Sequence, residues 1–287
     1  MTNKTSIRIA SYNILHSIEN LEERYSSLKE EIQSLNPDVI GFQESFNTGW
    51  DLLVEHMKSL GYHYFYKSFN CELLYDPANP KFTGNSIFSK YPLRNESTIK
   101  FPEVTENIPV YKVPDAISAE VVLPDGSHFL FLVHHAVWRA ENEKYRYWQA
   151  EVLNNYAVTY PNKGSFVALV GDFNAFETGY TMKYFKGEAP DRKGDFAYWV
   201  DAYTHKGKLE DYATSSPKLY WARDTAERTG ILYPEELPER RIDYILVNGW
   251  VYGRAGSPLT FGRIGTDLKG SAEPTDHYGI YSDLLLV

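Results

Sequence analysis

The segment FVALVGDFNAFE, residues 166–177, runs through five apolar positions and then delivers Gly171, Asp172, Phe173 and Asn174. Its apolar half reads as a buried strand. Strand side chains alternate between faces, so a strand carried through the segment would set Asp172 and Asn174 on one side and Phe173 on the other. Gly, Asp and Asn are also ordinary turn residues, and taken alone the segment reads as a turn that closes a buried strand. The flanking sequence decides what such an ending is for. Upstream lie a strand-like HFLFLVHH (128–135) and a helical ENEKYRYWQAEVLNNYAV (141–158). The same order occurs near the start of the chain. IRIASYNIL (7–15) alternates like a strand. LEERYSSLKEEIQSL (21–35) then places Leu21, Tyr25, Leu28, Ile32 and Leu35 at helical spacing before Asn36-Pro37, and DVIGFQE (38–44) is a second strand. Each strand, helix, strand unit finishes its strands on polar residues: Asn13 and Glu44 in the first, His135 and the Asp172/Asn174 pair in the second. Strand ends that feed loops along one sheet edge are where folds mixing helices and sheets build sites.

Between the units, TGNSIFSKYPL (83–93) and AISAEVVLPDGSHFLFLV (116–133) read as strands joined by turns, with Pro124-Asp125-Gly126 a turn signal. The aromatic run GYHYFYKSF (61–69) reads as a strand with alternate side chains buried. The stretch 213–240 has little sustained period and is expected to be a long structured loop. RRIDYILV (240–247) and DHYGIYSDLLL (276–286) close the chain as two further strands. No short-period repeat or low-complexity linker interrupts it, so the expectation is one domain over residues 1–287.

Composition limits the function classes. The chain has 287 residues, 43% of them hydrophobic and 15% aromatic, enough for a sizeable ordered core. A formal net charge of −9 argues against a protein that gains its affinity by blanketing nucleic-acid phosphates with Lys and Arg, although a local basic groove stays compatible. Cys71 is the sole cysteine, which rules out an intrachain disulfide and is compatible with a reducing compartment. No apolar run approaches the roughly 20 residues of a membrane span, and the N-terminus carries no signal-like stretch, so a soluble, cytoplasmic protein is expected.

In chain order the polar strand-end residues are Asn13, Glu44, His135, Asp172, Asn174, Asp243, Asp276 and His277. Carboxylates and carboxamides without thiolates suit a hard, oxygen-seeking cation, Mg²⁺ or Mn²⁺, and metal-assisted hydrolysis is the chemistry that follows. The ordered segments SYNIL, FQE, VHHAVW, GDFNA, RRIDYIL and TDHYGIYSDL, with TGNSIFSKYPL between them, resemble the motifs of the endonuclease/exonuclease/phosphatase superfamily, the metal-dependent phosphoesterases related to DNase I. The resemblance runs from residue 11 to 283. It implies an α+β fold, a four-layer α/β/β/α sandwich of two mixed β-sheets flanked by helices, with the site at one edge of the sheets. It also implies roles. Glu44 would be the principal metal ligand, with Asn13 and Asp276 completing or supporting the site. Asp172 would orient or deprotonate the attacking water, Asn174 and His135 would hold phosphate oxygens, and His277 paired with Asp243 would stabilise developing charge. The family pattern places a small hydroxyl residue before its histidine; His134 fills that slot, which selects His135 for the role.

Tyr12, Trp138, Arg139, Arg146 and Gln149 are read as packing residues beside the site. The expected activity is hydrolysis of a phosphodiester by metal-organised water, in a nuclease or related phosphodiesterase. The alternatives are a sphingomyelinase-like phospholipid phosphodiesterase or a phosphatase and, from another class, a catalytically inactive binding module on the same scaffold. The expected partner is a phosphate-ester substrate, a nucleic acid or a phospholipid headgroup, and a monomer is expected.

Overall fold

Along the first strand Ile7 and Ile9 face one way and Ala10 and Tyr12 the other, and this alternation on successive strands assembles the chain into layers. The computed structural model describes residues 5–73, 81–101, 114–160, 165–229, 238–248, 253–266 and 270–286. Its elements in order are β1 (Ser6–Asn13), α1 (Leu21–Leu35), β2 (Val39–Phe46), α2 (Trp50–Ser59), β3 (Tyr64–Leu73), β4 (Lys81–Ser89), β5 (Leu93–Ile99), β6 (Ala116–Val122) and β7 (His128–His135). There follow α3 (Glu143–Val158), β8 (Val167–Asp172), α4 (Tyr180–Phe185), β9 (Trp199–Asp201), α5 (Ala202–Lys206), α6 (Tyr220–Thr229), β10 (Asp243–Asn248), β11 (Gly262–Ile264) and β12 (Gly279–Leu285).

The described strands form two six-stranded mixed sheets, ordered β11-β12-β1-β2-β4-β3 and β5-β6-β7-β8-β10-β9. Each contains one parallel pair, β1 with β2 and β7 with β8, because each of those pairs is bridged by a helix that returns the chain to the same end. The core between the sheets is made by one parity of each strand: Ile7, Ile9, Val39 and Ile280 from the first sheet against Phe131, Val133, Val170 and Ile245 from the second. The opposite parity packs outward on helices. Ala10, Tyr12, Ile40 and Phe42 meet Tyr25, Leu28 and Ile32 of α1 and Leu53 and Met57 of α2. On the other side Leu132, Val167, Leu169 and Leu246 meet Ala150 and Leu153 of α3 and Met182 and Phe185 of α4. The result is the α/β/β/α sandwich. At Gly41 the sheets approach so closely that a Cβ would lie 2.5 Å from a Val133 methyl, so only glycine fits there.

Helix α1 ends where the sequence stops it. Asn36 takes a left-handed conformation (φ 55°), and its N–H caps the carbonyl of Ile32 before Pro37. The structure departs from the sequence reading in the stretch 213–240, where residues 220–229 form α6 rather than loop. A ten-residue helix shows little period by itself and takes its stability from tertiary contacts. Here the Tyr220 N–H donates to Glu273 Oε2 at 2.6 Å and the Trp221 indole to the Glu273 carbonyl at 2.8 Å. Residues 230–237 of that stretch lie outside the described residues. Among the described residues no helix is long and apolar enough to cross a membrane.

Candidate active site

The inward parity that fills the core continues to the strand ends, where it changes from apolar to polar. On β8, Ala168 and Val170 face inward, and so does Asp172. On β7 the sequence Phe129, Phe131, Val133 leads to His135, and on β10 Val247 and Ile245 lead back to Asp243. Register sets these three side by side: His135 is opposite Asp172 in the parallel pair, and Asp243 is opposite Asp172 in the antiparallel pair. On β1 the same rule turns Asn13 toward the second sheet. Its Nδ2 donates to Asp172 Oδ2 at 3.1 Å and to Glu44 Oε1 at 3.0 Å, so one amide joins the ends of both sheets.

Glu44 does not follow alternation. Its neighbours of like parity, Phe42 and Phe46, pack on the helical layer, and Glu44 would join them. Instead the β2–β4 register shifts between Phe42 and Ser45, and Glu44 adopts φ 60°, a bulge that swings its carboxylate back to Asn13. Left-handed backbone at a non-glycine residue costs on the order of 1–3 kcal/mol and clusters at sites. Leu15 (φ 52°) and Asn174 (φ 47°) show it beside the same cleft.

Asp172 and Asn174 are joined by a turn and not by a continuing strand. β8 stops at Asp172, the Asn174 N–H donates to Asp172 Oδ1 at 2.8 Å, and the Asn174 amide donates to the Ala136 carbonyl at 3.1 Å. Phe173 still points to the outer core. Gly171 makes room for this strand end: its φ is +151°, and a Cβ there would sit 1.8 Å from the His134 carbonyl oxygen of the neighbouring strand.

Alternation also separates the two histidines. His134 is buried on the outer side between the rings of Phe101 and Phe173, where burial pushes its pKa down to about 3 and keeps it neutral. His135 faces the cleft, its Nε2 3.6 Å from Asp172 Oδ2 and 3.9 Å from Glu44 Oε1. His277 enters from the loop before β12. Its Nδ1–H donates to Asp243 Oδ2 at 2.9 Å, and its Nε2 lies 3.8 Å from Asp172 Oδ2. Burial opposes charge on this imidazole, yet the carboxylates of Asp243 and Asp172 outweigh it and raise its pKa well above the usual value. Burial also raises Asp243, to about 6, with the nearby Asp172 charge adding to the effect against His277. The shared proton therefore rests on His277. Asp276 accepts from the Thr275 hydroxyl at 3.1 Å, and its charge is felt at both His277 and His16.

All eight side chains named from the sequence thus meet at one end of the sandwich. His16 was not among them and belongs to the same cleft, its imidazole against Glu44 Oε2. Its place three residues after Asn13 was the only sequence signal. With His16, His135 and the Asn13 amide around it, Glu44 titrates well below the usual carboxylate range despite its burial. The carboxylates of Glu44 and Asp276 are the oxygen donors a hard divalent cation takes, while the Asn13 amide turns its nitrogen to Glu44 and Asp172 and its oxygen to the Leu15 N–H. Asp172, Asp243 and His277 also bring ligand atoms within 4.8 Å of one another. The Nδ1 of His277, however, is already committed to Asp243, which suits that trio to proton handling.

Two supports outside the cleft fix its loops. Arg146 donates to the carbonyls of Val137 at 3.0 Å and Arg139 at 2.5 Å, while Gln149 accepts from the Val137 N–H, so these residues of α3 hold the loop that follows His135. Fully buried Arg24 donates to the carbonyls of Ile14, Leu15 and Ser17 and, through Nε, to that of Pro274 at 2.8 Å. It ties the loop after Asn13 to the loop that carries Asp276 and His277.

A sequence profile of the Endonuclease/Exonuclease/phosphatase family matches residues 10–277. Among solved structures the chain is similar to D. rerio TDP2 complexed with single strand DNA product, at 17% identity over 98% of this chain and 99% of that one, TM-score 0.72. It is similar to truncated Caenorhabditis elegans TDP2 at 17% identity, 98% and 98% coverage and TM-score 0.69. It is also similar to the human Nocturnin catalytic domain with bound sulfate anion, at 20% identity, 99% and 94% coverage and TM-score 0.68. No curated protein gives a significant sequence match.

Proposed function

We propose, from the premise that this chain belongs to the Endonuclease/Exonuclease/phosphatase family, that it is a divalent-metal-dependent phosphodiesterase, one domain over residues 1–287, whose water nucleophile is activated by Asp172. The observation that carries the reading is the single Asn13 amide bridging Glu44 and Asp172. It sets the carboxylate assigned to the metal beside the carboxylate assigned to the water, on facing sheet ends.

Glu44 and Asp276, supported by Asn13, are the residues that would hold Mg²⁺ or Mn²⁺. When bound, the ion supplies Lewis-acid charge to a phosphoryl oxygen. The chain's own groups do the rest. Asp172 Oδ2 takes the proton of the attacking water while Asn174 holds the other carboxylate oxygen in place. His135 and the second N–H of the Asn174 amide are donors for non-bridging phosphate oxygens. His277, kept protonated by Asp243, faces the charge that grows as the phosphorus becomes five-coordinate. A phosphate ester repels nucleophiles by its own negative charge, so two imidazoles and an amide aimed into the cleft serve the transition state more than the ground state.

Within this class a single-stranded nucleic acid is the substrate that the rim favours. Trp138 and Arg139 are exposed on the loop after His135, and Phe176 and Tyr180 are exposed on the stretch after Asn174. Flat rings beside a phosphate site offer stacking surfaces for bases, and stacking tolerates the overall acidity that phosphate blanketing would not. The solved complex of the D. rerio TDP2 neighbour with a single strand DNA product supports this reading.

The test is a metal-supplemented screen of single- and double-stranded DNA, RNA, sphingomyelin and phosphoinositides with an EDTA control. Metal-dependent cleavage of single strands is expected, with EDTA abolishing it. Release of phosphocholine alone would transfer the assignment to the lipid enzymes, and turnover that survives EDTA would remove the metal. The ligand role of Glu44 has its own check. Glu44→Gln is expected to weaken Mg²⁺ binding by about tenfold to a hundredfold in a calorimetric titration, and unaltered binding would take Glu44 out of the metal site.

A further inference from the structure

We propose that Arg139 binds the strand itself: its guanidinium holds a phosphate that neighbours the scissile one, so that the cleft takes an oligonucleotide in preference to an isolated diester. The inference rests on the phosphodiesterase reading and adds to it a contact away from the reacting atoms.

The observation that carries it is a conflict between residue and backbone. Arg139 stands at φ 73° and ψ 140°. Asn20 and Asn36, which also have positive φ at helix ends, keep ψ at 33° and 49°, inside the small left-handed well that asparagine tolerates. Arg139 lies outside that well, in a conformation that suits glycine. Its surroundings impose it. The Arg139 carbonyl accepts from Arg146 Nη1 at 2.5 Å and from the Asn142 N–H at 3.1 Å. The Trp138 carbonyl accepts from the Asn142 amide at 2.7 Å, while Val137 is held at its carbonyl by Arg146 and at its N–H by Gln149. Asn142, Arg146 and Gln149 are all buried. Arg146 is fixed in turn by Glu143 Oε2 at 2.9 Å, and Glu143 Oε1 accepts the Thr181 N–H of α4 at 2.8 Å. The loop's backbone is thereby bound to α3 while the side chains of Trp138 and Arg139 stay exposed.

Where the backbone asks for glycine and the chain supplies arginine, the side chain is the reason. Three features say what it meets. The guanidinium carbon lies 4.6 Å from the centre of the Trp138 ring, and a guanidinium stacked in this way keeps its N–H edge for a bidentate acceptor such as phosphate. Glu141 Oε1 stands 3.9 Å from Arg139 Nη1 with both groups exposed, an ion pair that water screens and a phosphate can replace. The loop also starts at the cleft, because the Ala136 carbonyl accepts the Asn174 amide at 3.1 Å. Three residues on, Arg139 is at most about 10 Å of chain from that carbonyl, with a long side chain of its own. Charge then selects the partner. Glu44, Asp172, Asp243 and Asp276 gather at the site, so the phosphates that flank a scissile group are repelled unless a fixed cation meets them outside it.

The experiment measures, by fluorescence anisotropy in EDTA and at several salt concentrations, the binding of a fluorescein-labelled thymidine dodecamer to the full chain as wild type, Arg139→Gln and Arg139→Gly. Both variants are expected to bind about tenfold more weakly, and their slope of log affinity against log salt should be shallower by about 0.7, the share of one single-strand phosphate. Arg139→Gly should in addition melt about 2 °C higher than wild type, because glycine takes this backbone without strain. With metal restored, the ratio of kcat/KM for the dodecamer to kcat/KM for bis(p-nitrophenyl) phosphate should fall about tenfold in both variants. Wild-type affinity in the variants, or weaker binding with an unaltered salt slope, overturns the role of Arg139. Neither result touches the phosphodiesterase reading, which stands or falls on metal-dependent hydrolysis of bis(p-nitrophenyl) phosphate by wild type. Binding in EDTA needs no turnover, so it judges Arg139 whichever way that hydrolysis comes out.

Discussion

Asp172→Ala is expected to lower metal-supported hydrolysis of bis(p-nitrophenyl) phosphate by about 10³- to 10⁴-fold while the protein still folds. The size follows from the step removed. A neutral water must lose its proton as it attacks, and a positioned general base contributes roughly 10²- to 10⁴-fold, with the upper range applying where the base also helps to orient the nucleophile. Asp172 is placed for both tasks. It is buried, Oδ1 is pinned by the Asn174 N–H, and Oδ2 faces Asn13, His135 and His277. Truncation leaves the Asn174 and Asn13 donors without this acceptor, a cost of about 1–3 kcal/mol per unsatisfied buried group. It also removes a negative charge that stands beside Asp243, so the net loss of stability is smaller than the hydrogen bonds alone suggest. Asp172→Asn is the sharper control, since its carbonyl oxygen can still accept from Asn174 while it cannot take a proton. Turnover of either variant at the wild-type rate would exclude Asp172 from the mechanism.

What could be read in advance follows from what each residue's neighbours in sequence determine. The strand, helix, strand units were legible because β1, α1 and β2, and again β7, α3 and β8, have the length and periodicity to show a face. Helix α2 escaped notice: its ten residues begin at Trp50, directly after a turn, and its buried side rests on Trp50, Leu53 and Met57 alone. Helix α6 was hidden for a related reason, because its hold on Glu273 is a contact across 52 or more residues of chain. Alternation within HFLFLVHH puts His134 and His135 on opposite faces but does not say which face is the cleft, because Leu130 and Leu132 on the parity of His134 are as buried as Phe129, Phe131 and Val133 on that of His135.

Glu44 shows the limit of that reasoning. Parity sends it to the helical face, and the bulge that redirects it depends on β4 pairing out of step beyond Phe42, which no local pattern in FQE encodes. His16 and Arg24 were obscured in a different way. His16 meets the Glu44 carboxylate across 28 residues of chain and Arg24 works through the backbone carbonyls of two loops, so neither offers a spacing to recognise, and a buried arginine bonded to carbonyls leaves no complementary acid in the sequence. The convergence of eight polar strand ends was legible as an ordered set; the couplings among them required the register.

Those couplings give the second large effect. His277→Gln and Asp243→Asn are each expected to reduce kcat by about 10²- to 10³-fold with little change in KM, and the double variant should be no worse than the more damaging single one. The reason is that the two side chains act as one group. Asp243 Oδ2 accepts the Nδ1–H of His277, which fixes the imidazole's orientation and leaves Nε2 directed into the cleft. The Thr214 hydroxyl in turn accepts the backbone N–H groups of Ile242 and Asp243, locking the carboxylate's own strand end. With Asp243 ionised, the imidazolium can meet the charge that develops on the phosphoryl oxygens and the leaving group; with asparagine there, the buried ring has lost its chief reason to hold the proton. Charge of that kind is larger in the transition state than in bound substrate, so the loss falls on kcat. Losses that multiply in the double variant would mean that the residues act separately, and His277 would then need a source of charge other than Asp243.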